Sequence, residues 1–141
     1  MTLARAWDTP WKAREELGRA LAYPSIRLLF ALNDIPWGQG WRFYGVPIIQ
    51  KHRRSRMRFG PGLQLRSTLR SNPLGPNHPV TLATWQEGAL LEIGANLAMT
   101  GGTICAAERI VIGDHVTIGA NTIIMDTDLP SGCHHAQAQA L

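Results

Sequence analysis

The feature that most restricts how this chain can fold is a six-residue beat between Leu91 and Asp126, LEIGANLAMTGGTICAAERIVIGDHVTIGANTIIMD. An apolar residue followed by a small one returns at Ile93-Gly94, Met99-Thr100, Cys105-Ala106, Ile112-Gly113 and Ile118-Gly119, with one extra residue between the third and fourth, and Ile124 keeps the phase. Such a period suits short parallel strands joined by tight corners, one side chain per strand pointing into a shared core. Glycine or alanine follows because the backbone turns there against neighbouring coils, where a larger side chain would clash. Three hexads close a triangular coil of about eighteen residues, which buries its apolar side only by stacking on further coils. The beat therefore predicts an all-β solenoid, with Cys105 as a small inward residue.

The rest of the chain is read as lead-in and tail. Thr9-Pro10 marks a helix start, because proline is tolerated where the N–H has no partner. Trp11 to Tyr23 forms one helical segment, Pro24 interrupts it, and Ser25 to Asn33 forms a second. Residues 1–40 are thus expected as a short N-terminal helical arm that caps the apolar end of the first coil. Residues 41–128 hold the β-helix: Trp41 to Ile49 has strand composition, Phe59-Gly60 repeats the later beat, and Val80, Leu82 and Trp85 point inward. Residues 66–79, rich in Ser, Asn, Pro and Gly, read as a loop thrown out from a corner. Residues 129–141 form a polar tail outside the repeat.

Composition narrows the function classes. With 141 residues, 45% of them hydrophobic, the chain has one domain's worth of core. No apolar run is long enough to span a membrane, and the N-terminus lacks the pattern of a secretory signal, so the expected location is cytoplasmic, including the membrane surface. Cys105 and Cys133 make no disulfide framework. The net charge of +4 is concentrated in Lys51, His52, Arg53, Arg54, Arg56 and Arg58, with Arg66 and Arg70 beyond. No aromatic residues interleave with that run, so no nucleic-acid partner is expected. A solvated face or a site for anionic phosphates accounts for it. Arg5, Lys12, Arg14, Arg19 and Arg27 add a peripheral membrane contact through the arm as an alternative to capping.

The motifs Leu91-Glu92-Ile93-Gly94, Thr100-Gly101-Gly102-Thr103-Ile104, Ile110-Val111-Ile112-Gly113-Asp114 and Ile118 to Asp128 resemble the left-handed β-helix, hexapeptide-repeat acyltransferases, particularly the sugar O-acetyltransferases. The resemblance implies a left-handed parallel β-helix of about three to four coils. It also implies acetyl transfer from acetyl-CoA to a sugar hydroxyl or amine by general-base catalysis, with sites shared between the subunits of a homotrimer. The acceptor is then a small-molecule or polysaccharide sugar. In that family an Asp-x-Asp segment is followed by Phe-His-Pro, and the histidine is the base, a role suited to a group that titrates near neutrality. Here Asp126-Thr127-Asp128 is followed by Leu129-Pro130, with Pro130 where the histidine would fall. The resemblance therefore implies a chain truncated before its last coil and base, and inactivity for that reason. One hypothesis is a shifted reading frame: codons of the form CCA-TCC-GGC for Pro130-Ser131-Gly132 would read His-Pro one base along. A gene with no His-Pro and further hexads in another frame overturns it.

His134 and His135 are the tail residues available as substitute catalytic bases. Asp126, Asp128, His78, Gly101 and Gly102 are the candidate substrate-binding residues: the carboxylates fix a corner or orient a histidine, His78 borders the acceptor site, and the glycine pair permits close approach of acceptor or acyl donor. His115 follows Gly113-Asp114 at a corner and is expected to face solvent. His78, His115 and His134 or His135 lack the spacing of a three-histidine zinc site, so no metal is expected. The non-enzymatic alternative is a β-helix that serves as a trimerisation or interaction module.

Overall fold

A computed structural model describes residues 9–127. Among the described residues are one helix, α1 (Pro10–Leu32), and after it eleven short strands: β1 (Arg42–Tyr44), β2 (Ile48–Lys51), β3 (Arg56–Phe59), β4 (Gln64–Arg66), β5 (Thr81–Thr84), β6 (Leu90–Ile93), β7 (Ala98–Thr100), β8 (Thr103–Ala106), β9 (Arg109–Ile112), β10 (Thr117–Ile118) and β11 (Ile123–Met125). They form three sheets, ordered β1-β4-β7-β10, β11-β8-β5-β2 and β3-β6-β9. Every pairing is parallel, and the chain returns to the same sheet at each third strand. This is a β-helix-like solenoid.

Stacked registers put like residues above one another. Leu65 pairs with Phe43 and Met99, Leu82 with Ile49 and Ile104, and Leu91 with Met57 and Ile110. These columns fill the interior, where Leu65, Leu82, Leu91, Leu97 and Ile104 have no exposed surface. Ser55 and Thr84 are two of the buried polar residues, and their hydroxyls hydrogen-bond to each other at 2.5 Å, so neither is left unsatisfied. A glycine column runs up one corner: a Cβ on Gly60 would meet the carbonyl carbon of Gly94 at 2.6 Å, so only glycine allows that approach.

The phase differs from the sequence reading by one residue in the middle of the repeat. The extra residue lies at the Gly101-Gly102 corner, where both φ angles are positive, +54° and +85°. The inward position therefore passes from Met99 to Ile104 and Ala106, while Cys105 turns outward and is partly exposed. Because alternate strand residues face opposite sides, a slip of one moves a residue from core to surface. Trp85 is likewise exposed rather than inward, since it follows β5 at a corner.

Nor does Pro24 divide the arm: α1 is one helix of 23 residues. Pro24 sits on the solvent side, so its ring meets no packed neighbour and water can satisfy the carbonyl it leaves unpaired. The inner side of α1 buries Ile26 and Phe30. The Phe30 ring lies 5.3 to 6.2 Å from those of Phe43, Trp41, Trp37 and Phe59, covering the apolar end of the solenoid. Among the described residues no helix is long and apolar enough to cross a membrane.

Candidate functional site

The segment between β4 and β5 folds back on the solenoid and, with the first half of α1, encloses a groove. Its anchors are hydrogen bonds: the N–H groups of Ser67 and Thr68 donate to the Tyr44 carbonyl at 2.7 and 3.0 Å. Arg66 donates to the Ser71 carbonyl at 2.7 Å, and the Asn72 amide donates to the Thr100 hydroxyl at 3.1 Å. The Asn77 N–H donates to the side-chain oxygen of Asn121 at 2.7 Å, which ties the loop to the far end of the repeat.

The groove has two adjoining hollows, of about 770 and 820 Å³, which share Trp11, Glu15, Tyr44 and Arg70. The first is also lined by Lys12 and Arg66, the second by Arg14, Arg19 and His78. Cations outnumber carboxylates on its walls, and Glu16 is paired with Arg19 at 2.5 Å. The Arg66 guanidinium lies 4.4 Å from the centre of the Tyr44 ring, a stacked cation–π pair. Stacking is what brings them together, since β1 pairs with β4 and sets Tyr44 opposite Arg66.

His78 is half-buried at the edge of this groove. Its Nδ1 lies 2.8 Å from the Pro79 carbonyl. A carbonyl oxygen can only accept, so Nδ1 carries the proton and, in the neutral ring, Nε2 keeps its lone pair. The other described histidines differ. His115 occupies a left-handed corner at φ +56° and is exposed, as expected. His52 uses Nδ1 to accept from the Arg54 N–H at 3.1 Å, an arrangement that closes a turn.

The remaining sequence candidates divide. Gly101 lies under the loop: its N–H donates to the Arg66 carbonyl at 2.8 Å, and a Cβ there would meet Pro76 at 2.6 Å and the His78 carbonyl oxygen at 3.0 Å. Gly102 abuts the Thr122 backbone instead. Asp126 is at a different corner, where its carboxylate accepts from the N–H groups of Ala107, Glu108 and Arg109 at 2.6, 2.8 and 2.6 Å. Burial draws that carboxyl upward, but the backbone donors outweigh it and hold it below the usual carboxylate range. Asp128, Pro130, His134 and His135 lie outside the described residues.

The basic run does not gather into one site. Arg54 pairs with Glu87 at 3.1 Å, Lys51 and Arg53 line a hollow with Leu32, Asn33 and Asp34, and Arg56 and Arg58 stand on the outer face of β3. Sequence reasoning passed over Trp11, Tyr44 and the helix wall of the groove. The register would have placed Tyr44 beside Arg66, but the loop between β4 and β5 hides the period at that point.

Among the described residues no three His, Cys, Asp or Glu side chains gather closely enough to hold a metal ion. Compared with known protein families, curated proteins and solved structures, the chain finds no match.

Proposed function

We propose that this chain is an acyl-CoA-dependent acyltransferase, moving an acetyl group to a sugar hydroxyl or amine, on a β-helix that is left-handed with about three to four coils. His78 is the observation that carries the proposal. Its Nδ1 is committed to the Pro79 carbonyl, so Nε2 is the basic nitrogen, at the rim of a groove large enough for a sugar.

The donor set suits an acyl-CoA: Lys12 and Arg70 are cations free to meet phosphates, with no carboxylate in ion-pair range among the described residues. Acyl-CoA, when bound, supplies a thioester carbonyl open to attack. Nε2 of His78 takes the proton of an acceptor O–H or N–H as that atom bonds to the carbonyl carbon, and the imidazolium returns the proton to the departing sulfur. Trp11 and Tyr44 offer ring faces for the acceptor. This assigns the base to His78 in place of the tail histidines.

The test is thiol release from acetyl-CoA over a panel of sugars. His78→Ala is expected to lower the rate by about 10²- to 10⁴-fold with the melting temperature unchanged, as for loss of a general base. No thiol release by the intact chain with any acceptor overturns the transferase reading, and an active His78→Ala overturns the assignment of the base.

One observation favours the second reading, a module for self-assembly. The outward rows of the β11-β8-β5-β2 sheet are Ile48, Thr81, Thr103, Ile123 and Gln50, Ala83, Cys105, Met125, without a charge among them. Ile48, Ile123 and Met125 are exposed. The other sheets present Arg42, Arg66, Arg56, Arg58, Glu92 and Arg109 outward. A homotrimer built through the uncharged face serves either reading, and mass in solution tests it.

A further inference from the structure

Helix α1 is apolar on two sides. Ile26 and Phe30 face the solenoid, while Leu17, Leu21, Leu28 and Leu32 are 62, 74, 59 and 74% exposed. At 100° per residue the four leucines fall within an arc of about 60°, with Pro24 about 20° beyond its Leu17 edge. Arg14 borders the arc near its start. At its end Leu32 shares a hollow with Lys51 and Arg53, where Asp34 is the one carboxylate. Arg27, on the flank, stacks 4.7 Å from the Trp37 ring centre. Glu15 and Glu16 face the groove on the other side of the helix.

A second helix is a poor occupant for this strip. Pro24 borders the seam about midway along it, where a partner's side chains would need a regular row to interlock with. Fluid acyl chains need no such register. The helix is also too polar to cross a bilayer, which leaves the interface plane.

We propose that the outer side of α1 docks on an anionic lipid surface, with the four leucines inserted at the boundary of headgroups and acyl chains and with Arg14, Lys51 and Arg53 against the headgroups. Apolar insertion and attraction to anionic lipid then act together. The docking surface is independent of acyl transfer.

Co-sedimentation of the full chain with vesicles tests this, using phosphatidylcholine alone or mixed with phosphatidylserine. The chain is expected to sediment with the mixed vesicles and much less with the neutral ones. Leu21→Glu with Leu28→Glu is expected to weaken binding about tenfold or more while the melting temperature holds, since both side chains are exposed. Leu17→Gln with Leu32→Gln, milder in charge, is expected to weaken it in the same direction. Lys51→Gln with Arg53→Gln is expected to weaken it and flatten its salt dependence. Failure to bind either vesicle overturns the proposal. So does unchanged binding of both leucine variants, which would mean that the basic groups alone hold the chain. A wild-type dimer that the leucine variants split, without any effect on vesicles, would assign the strip to a second copy.

Discussion

Asp126 shows how a single side chain holds a corner. Its carboxylate caps three successive backbone N–H groups, which would otherwise point into a bend with no partner. The folded chain favours the ionised form, so the stabilisation is complete above the unfolded carboxyl's value, about pH 4, and is lost as pH falls through the lower folded value. Asp126→Asn is therefore expected to cost about 1 kcal/mol at pH 7, discounted because the group is exposed, and less at pH 2 to 3. Thermal melts of both proteins at the two pH values check this; a pH-independent gap would disprove it. Burial, and then the charge of Asp126, push the neighbouring Cys105 thiol above its ordinary range, which suits a neutral surface group and not a nucleophile. The sequence placed Asp126 and His115 at corners, where the structure has them, but it put Cys105 inside. A six-residue beat does not say at which corner an extra residue is absorbed, and two left-handed glycines absorb it one step earlier than the spacing suggested.

At the scale of an element, α1 supplies both the lid on the solenoid and one wall of the groove. Phe30 is completely buried among four other aromatic rings, and Trp41 anchors that cluster by donating from its indole nitrogen to the Gly60 carbonyl at 2.8 Å. Phe30→Ala is expected to destabilise the protein by about 3 to 5 kcal/mol, the usual cost of removing a buried aromatic ring. Denaturant unfolding measures it, and a loss below about 1 kcal/mol would mean that the helix is not a cap. The helix was legible from Thr9-Pro10 and the apolar spacing. Its continuity was not, because proline breaks a helix or merely bends it according to which side it faces, and that depends on what the helix packs against.

For the whole molecule, the contrast among the three outer faces is the property with the widest consequence. Two outward rows without a charge, with Ile48, Ile123 and Met125 exposed among them, are poorly suited to water, and association is their expected use. Ile123→Lys, placed on that face at 64% exposure, is expected to leave the melt of an isolated subunit nearly unchanged and to shift the mass in solution from trimer to monomer. Sedimentation equilibrium decides it; a wild-type monomer would remove the proposed trimer. Parallel solenoid architecture, corner glycines and the loop between β4 and β5 all follow from local pattern, since a hexad repeats its own environment and can be read from any single coil. The groove follows from no local pattern. Trp11, Tyr44, Arg66, Arg70 and His78 are scattered along the chain, and they meet because strand stacking brings β1 against β4 while the loop folds over Gly101 toward α1. The repeat dictates what stacks within each coil, whereas contacts between helix, loop and coil depend on surfaces that exist only once the stack has formed.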